Sequence, residues 1–206
     1  MKALLINGSP NEAGCTFTAL SEVAGALGSN GVDSEIFHIG KGPVHGCVGC
    51  RACVKTGSCA LGGDPCNRIA ERARAADAIV IGTPVYFAGA NGALCALLDR
   101  MFFSARDAFE GKPGAAVVSC RRGGAGSAFD RLNKYFTISG MPVVSSQYWN
   151  SVHGNRPEET LQDAEGLQTL RVLGANMAWL MKSIEASRQA VPLPEKEKRI
   201  ATNFIR

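Results

Sequence analysis

The run Lys2-Ala3-Leu4-Leu5-Ile6-Asn7-Gly8-Ser9-Pro10-Asn11-Glu12-Ala13-Gly14-Cys15-Thr16-Phe17-Thr18-Ala19-Leu20 changes character twice. Lys2 to Asn7 is a short apolar segment of the kind that forms a strand, and Gly8-Ser9-Pro10-Asn11 interrupts it with turn residues. Phe17, Leu20, Ala24 and Leu27 then recur at helical spacing, with Gly28 and Gly31 as stop signals. The unit reads as strand, loop, helix.

The same unit recurs downstream. Ser34 to Ile39 is a weaker second strand, and Gly40 to Asp64 is the one long irregular loop, rich in glycine and cysteine. Asn67 to Ala76 is polar and helix-forming and leads into Ala78 to Gly82, a continuous apolar run expected of a strand buried on both faces. Thr83-Pro84 should end that strand. Leu94, Leu97, Leu98, Met101 and Phe102 mark the next helix, Ala115 to Ser119 the next strand, and Phe129, Leu132 and Phe136 the helix after it. Pro142 to Tyr148 reads as a fifth strand. Leu167, Leu170, Leu173, Met177, Leu180 and Ile184 form the stripe of a long last helix. Five strands alternating with helices predict right-handed crossovers and a parallel sheet covered on both faces. Such a sheet binds ligands at its carboxyl edge, where the strand order reverses. The loops Gly8 to Thr18, Thr83 to Asn91 and Ser119 to Ser127 are therefore expected to meet at one site.

The chain has 206 residues, of which 46% are hydrophobic and 19% charged. That balance predicts one globular domain over 1–206, with a cysteine-rich loop over 43–66 and a C-terminal helix and arm over 157–206. The tail from Val191 carries two prolines and the charged run Lys196 to Arg199, and reads as a loosely packed arm. The formal charge of +4 is dispersed apart from that run and Arg121-Arg122, so no nucleic-acid partner is expected. Apolar stretches are too short to cross a bilayer and the N-terminus lacks a signal-peptide pattern, which predicts no membrane association and a cytoplasmic location. In that compartment the eight cysteines point to metal, cluster or redox chemistry rather than a disulfide framework. Cys15, Cys95 and Cys120 stand alone and read as small buried hydrophobes. His38, His45 and His153 show no arrangement with a nucleophile and a carboxylate, so no catalytic side chain is assigned.

The loop Gly8 to Thr18 joins a strand to a helix N-terminus, which collects unpaired backbone N–H groups and the positive end of a helix dipole. Ser9, Thr16 and Thr18 add hydroxyl donors, and a phosphate would fit there. The loop lacks the lysine of a Walker A motif and the G-x-G-x-x-G of a dinucleotide turn, and Gly124-Ala125-Gly126 fails that pattern as well. A monophosphate held by neutral donors is one reading; a helix start in which Thr16 or Gly14 merely satisfies the backbone is the other.

Thr83-Pro84-Val85-Tyr86-Phe87, followed by Gly92-Ala93-Leu94 and Leu97-Leu98-Asp99-Arg100, joins Gly8-Ser9-Pro10 and Gly14-Cys15-Thr16 in a pattern that resembles the NAD(P)H-dependent FMN reductase family. The resemblance runs to the end of the fifth predicted strand. It implies a flavodoxin-like three-layer α/β sandwich with a five-stranded parallel sheet. It also implies that Ser9, Asn11, Thr16, Phe17 and Thr18 hold the FMN phosphate. Pro84, Val85, Tyr86 and Phe87 would lie along the isoalloxazine, with Ser119, Cys120, Arg121, Gly123 and Gly124 closing its other side. Cys15 stands where the family often has Asn, and Cys95 where it often has Lys. An aromatic beside a rigid proline turn offers flat apolar contact to a ring, whereas the bland reading of Tyr86 and Phe87 is core packing after a strand. Asp99 and Arg100 read as a structural or subunit-interface ion pair, and Arg121 and Arg122 as charge near the flavin or a solvated loop.

What the resemblance implies chemically is hydride transfer from NADPH or NADH to FMN, then reduction of a small-molecule acceptor such as a quinone, azo compound, free flavin or iron centre. The alternative is an iron-sulfur flavoprotein or flavodoxin-like carrier serving redox-protein partners. Homodimers or homotetramers are implied in the same way, and Trp179, lying off the main apolar stripe, agrees with that. Cys47-Val48-Gly49-Cys50-Arg51-Ala52-Cys53 places three thiols within one tight turn, and Gly46, Gly49 and Gly57 let the backbone curl around an object. The segment resembles the compact cysteine motif of the iron-sulfur flavoproteins, a branch of the same family. A 4Fe-4S cluster on Cys47, Cys50, Cys53 and Cys59 is one expectation, with Cys66 a rival fourth ligand; free thiols or a disulfide are the others. Structural zinc more often uses two separated knuckles.

Overall fold

In the computed structural model, which describes residues 1–198, 200–202 and 204, strands and helices alternate as predicted through the first four parallel strands. Arg199, part of the charged run read in the tail, lies outside the described residues. The elements are β1 (Lys2–Asn7), α1 (Cys15–Ser29), β2 (Asp33–His38), α2 (Cys53–Thr56), α3 (Cys66–Ala75), β3 (Ala78–Tyr86) and β4 (Gly89–Ala90). They continue with α4 (Gly92–Ser104), β5 (Gly114–Cys120), α5 (Ala125–Ile138), β6 (Ser151–His153), α6 (Pro157–Thr160) and α7 (Ala164–Ser187). The sheet order is β2-β1-β3-β5-β6, all parallel, and β4 pairs antiparallel with the end of β3. Counting the parallel strands alone, this is the 2-1-3-4-5 order of a flavodoxin-like sandwich, with its switch point between β1 and β3.

The period of two along the central strands builds two cores. Leu4, Ile6, Ile79, Ile81 and Ala116 point to α3, α4 and α5, while Ala3, Leu5, Ala78, Val80, Ala115 and Val117 point to α1 and α7. Each fully buried Leu or Ile contributes about 1.5–3 kcal/mol, so both faces of the sheet are worth sealing. Glycine permits the closest of these contacts: a Cβ at Gly174 of α7 would lie 2.6 Å from the Ala26 Cβ and 2.9 Å from the Val23 carbonyl oxygen of α1. Lys112, just before β5, caps α3 by donating from Nζ to the carbonyls of Ala73 at 2.8 Å and Arg74 at 3.0 Å.

Two expectations are corrected. The fifth strand is Ser151–His153, not Pro142 to Tyr148. The earlier segment touches β5 only at its start, where Gly114 N donates to the Pro142 carbonyl and Val144 N to the Gly114 carbonyl, both at 2.9 Å. It then swings out to α7, since the Ser146 hydroxyl donates to the Thr169 carbonyl at 2.6 Å and Asn176 Nδ2 to the Ser145 carbonyl at 2.9 Å. Pairing resumes where Val118 N reaches the Asn150 carbonyl at 2.9 Å. Nor does Thr83-Pro84 end the third strand. β3 runs through Pro84 to Tyr86, because its parallel ladder with β5 finishes at Pro84 opposite Ser119 and the extension pairs with β4 alone. A proline at the end of a ladder gives up no needed N–H.

Candidate functional site

The carboxyl ends of the strands carry polar residues that the cores do not. Asn7, Ser9, Thr16, Thr83, Asn91 and Ser119 are all buried there. Gly8 N donates to the Gly82 carbonyl at 2.9 Å, and Asn91 Nδ2 donates to the Gly8 carbonyl at 3.0 Å. The Thr83 hydroxyl accepts from Asn91 N at 3.0 Å, and the Thr16 and Ser119 hydroxyls share a bond of 2.7 Å. The three loops after β1, β3 and β5 therefore meet, as the strand alternation requires.

Within the first loop the hydroxyls serve the loop itself. The Ser9 Oγ accepts from Asn11 N at 3.0 Å, and the Thr18 hydroxyl donates to the Gly14 carbonyl at 3.3 Å. Asn11 is exposed and the Phe17 ring is 37% exposed. No side chain caps α1 at Gly14, and the first intrahelical bond is Thr18 N to the Gly14 carbonyl, so the amides of Cys15, Thr16 and Phe17 have no partner inside the helix. Positive helix-end potential and free donors thus coincide at the start of α1. Cys15 is half-buried, its Sγ 3.7 Å from the Gly154 carbonyl, and Cys95 is half-buried as well; only Cys120 matches the buried reading of the three lone cysteines. Cys95, in the first turn of α4, lies beside Arg131 of α5.

On the second loop Pro84 and Val85 are half-buried, Tyr86 is 46% exposed and Phe87 fully so. Core packing of these two aromatics is thereby overturned. The backbone is left-handed at Phe87 (φ 49°) and Ala88 (φ 58°), a conformation that bulky residues avoid and that local strain often marks at ligand sites. On the third loop, Ser119 and Cys120 are buried, and burial pushes the Cys120 thiol above its ordinary range. Arg121, Arg122 and Gly123 are exposed. Gly124 holds φ 90° against the second loop, where a Cβ would come within 2.7 Å of the Ala88 Cα. Three supporting residues escaped the sequence reading. Asn7 donates from Nδ2 to the Glu12 carbonyl at 3.0 Å and His38 Nε2 lies 2.8 Å from the Ser9 carbonyl. Asn91 caps α4 by accepting from Ala93 N at 2.8 Å, and an Asn just before a helix-forming run was a legible signal for it.

The cysteine loop forms a second locus. Cys47, Cys50, Cys53 and Cys59 line one small cavity with Val48, Leu61, Arg100 and Phe103. All eight cysteines are free thiols, so no disulfide closes the loop. The backbone is left-handed at Gly49, Arg51 and Gly57, and a single turn of helix, α2, follows Arg51. Among the described residues, no three His, Cys, Asp or Glu side chains gather closely enough to hold one metal ion. Cys66 does not line that cavity: it is fully buried beside Cys59 and against the Leu97 carbonyl, and burial pushes its thiol up to about 12. Asp99 and Arg100 do not pair with each other. Asp99 meets Arg131 and the Tyr135 hydroxyl on α5, whereas Arg100 is buried against Asp64. Burial opposes charge on Asp64, but the Arg100 hydrogen bond and the amides of Cys66 and His45 outweigh it and hold the carboxyl below its usual range. The cavity of about 750 Å³ between the C-terminal arm and α7 lies at the amino ends of the strands, away from both loci.

Among the described residues no helix is long and apolar enough to cross a membrane. The chain superposes on RosB bound to 8-demethyl-8-formylriboflavin-5'-phosphate with a TM-score of 0.71 at 17% identity, covering 100% of this chain and 94% of that one. It superposes on an archaeal flavodoxin with a TM-score of 0.60 at 16% identity, covering 88% and 99%. In sequence it is 30% identical over 195 residues to an iron-sulfur flavoprotein of Methanocaldococcus jannaschii, covering 90% of this chain and 100% of the relative. It is 41% identical over 100 residues to an iron-sulfur flavoprotein of Archaeoglobus fulgidus, covering 48% of each. The profile of NADPH-dependent FMN reductases matches residues 1–156, which hold all three carboxyl-edge loops and the cysteine loop. The chain therefore belongs to the NADPH-dependent FMN reductase family of flavin-dependent oxidoreductases.

Proposed function

We propose that this protein is an iron-sulfur flavoprotein: it holds FMN at the carboxyl edge of the sheet and a 4Fe-4S cluster on Cys47, Cys50, Cys53 and Cys59. The observation that carries the flavin reading is the meeting of three loops beside free amides and exposed aromatic surface. The amides of Cys15 to Phe17, with Ser9, Asn11, Thr16, Phe17 and Thr18, would hold the phosphate. Pro84, Val85, Tyr86 and Phe87 on one side and Ser119, Cys120, Arg121, Gly123 and Gly124 on the other would hold the ring. The buried Thr16–Ser119 bond ties the first loop to the third, and Gly124 lets the third approach the second.

Four thiols lining one cavity are the donor set that a cubane takes, one cysteine to each iron. Cys59 is the fourth ligand in this reading, since it lines the cavity with the other three whereas Cys66 is fully buried and does not. When bound, FMN supplies two-electron chemistry with NADPH or NADH and the cluster single-electron transfer; the protein binds, orients and shields them. The names of the relatives support this reading over a plain flavin reductase. The electrons would pass to a quinone, azo compound, free flavin or iron centre, or to a redox protein in the cytoplasm. Exposed Trp179 on α7 and Ile138 on α5 would be covered in a homodimer or homotetramer, which light scattering would report.

An anaerobic preparation should be brown, with flavin bands, about four irons per chain and equal sulfide. Cys50→Ala should lose the iron and keep FMN, and Cys66→Ala should keep both. Flavin without iron or sulfide in the wild type would remove the cluster; a colourless protein that takes up no FMN would remove the whole reading. Bleaching by NADPH or NADH alone separates a nicotinamide-fed enzyme from a carrier that needs a redox partner.

A further inference from the structure

Arg100 is the largest fully buried side chain among the described residues, and the side chain of Asp64, its partner, is buried to the same degree. A buried ion pair adds little net stability, because desolvation offsets the attraction. The placement of the remaining donors is therefore informative. Nη1 also donates to the His45 carbonyl at 3.2 Å, Nη2 to the Leu61 carbonyl at 2.6 Å, and Nε to the Cys59 Sγ at 3.2 Å. Every acceptor belongs to the cysteine loop. Arg100 itself stands on α4, whose cap Asn91 is bonded to Gly8 in the first carboxyl-edge loop. One rigid helix thus touches both loci.

We propose that Arg100 is a positioning residue that holds Cys59 in place as a cluster ligand and sets a permanent positive charge and an N–H donor against its sulfur, raising the reduction potential of the cluster. The inference rests on the cluster reading above. Reduction adds one electron to a group already negative through its thiolates. A hydrogen-bonded cation at a ligand sulfur stabilises the more negative state, and hydrogen bonds to the sulfurs are among the factors that set such potentials. Burial strengthens the effect, because little water lies between the guanidinium and the sulfur. Asp64 offsets part of the charge while orienting the fork, so that Nε and not Nη1 meets Cys59.

The test is a mediated redox titration of the anaerobic, FMN-loaded protein, following cluster and flavin separately by their spectra. Arg100→Gln combined with Asp64→Asn removes the cation without leaving a buried carboxylate alone. It should shift the reduced-to-oxidised ratio of the cluster at fixed ambient potential by tenfold or more toward oxidised, a fall of about 59 mV or more for one electron. The flavin potential should stay where it is. Arg100→Lys keeps a charge but loses the fork, and should fall between. Retained iron with an unchanged cluster potential in the double variant would overturn the role of Arg100 while leaving the cluster intact. Loss of iron with FMN retained would support the positioning role; loss of FMN together with iron would mean general collapse and count against it. A wild-type protein without iron or sulfide would overturn the cluster reading itself, and this inference with it.

Discussion

Replacing Cys15 by Glu should move folding stability and flavin affinity in opposite directions. Cys15 opens α1, is half-buried, and its own amide is one of the three left without a partner in the helix. In the flavin-free protein a carboxylate in a first helical turn meets the positive end of the dipole, which is worth about 0.3–1 kcal/mol in favour of the fold. With the FMN phosphate at this helix start, as proposed, the same carboxylate would stand beside it. Two unit charges about 4 Å apart repel by about 1 kcal/mol in water and about 4 kcal/mol at the surface of a protein. At about 1.4 kcal/mol per decade, that weakens FMN binding by roughly fivefold to several hundredfold. Cys15→Gln, similar in size and uncharged, should bind FMN close to wild type. Ser9 and Thr16 are poorer places for the charge, since they are 4% and 1% exposed and a buried carboxylate there would damage the fold itself. Quenching of FMN fluorescence on titration into flavin-free protein gives the affinities, and thermal melts of the same samples give the stabilities. The penalty should shrink in high salt. Equal FMN affinity for the Glu and Gln variants would refute a phosphate at the α1 N-terminus.

Gly124→Ala should weaken FMN binding at least tenfold, because the new Cβ meets the Ala88 Cα at 2.7 Å and the position holds φ 90°; unchanged flavin content after dialysis would count against a ring held between those loops. Gly174→Ala overpacks the α1–α7 contact, where the Cβ would lie 2.6 Å from Ala26, and should destabilise by about 1–3 kcal/mol with FMN affinity unchanged, read by urea unfolding and flavin titration. The Cys66 thiol, raised by burial from 9.0 to about 12, contributes stability that is fully present below pH 9 and is lost as pH climbs toward 12. Wild type should therefore lose more urea stability than Cys66→Ala between pH 8 and pH 10.5, and Cys66 should alkylate far more slowly than exposed Cys50 at pH 8.

The elements that periodicity alone can describe were legible. Leu4 and Ile6 against Ala3 and Leu5 show the two-faced burial that a parallel sheet demands, and the helix stripes through Leu94 and Leu170 each end in the core they suggested. The fifth strand was not legible, because Val143 and Val144 look like a strand and do begin one. What diverts the chain is a pair of long-range bonds, Ser146 to Thr169 and Asn176 to Ser145, that no local pattern announces. The strand that completes the sheet, Ser151–His153, is only one apolar residue deep in sequence and owes its place to the ladder with Val118, Ser119 and Cys120.

The two loci differ in the same way. The first carboxyl-edge loop is a local object: a strand end, a turn and a helix start lie within one stretch, so its free amides follow from sequence order. The cysteine loop has local spacing but no local anchor. Arg100 lies 36 residues from Asp64 and 41 from Cys59, and the helix sends the adjacent Asp99 the other way, out to Arg131. Reading Asp99 and Arg100 as one ion pair placed both on the wrong partner, since neighbours on a helix point about 100° apart and answer to different surroundings. Distance in sequence hides this link, and the fold makes it short: α4 carries Asn91 into the carboxyl-edge loops at one end and Arg100 into the cysteine loop about two and a half turns later. A substitution that tilted α4 would therefore disturb both loci at once, whereas changes confined to either loop should leave the other in register.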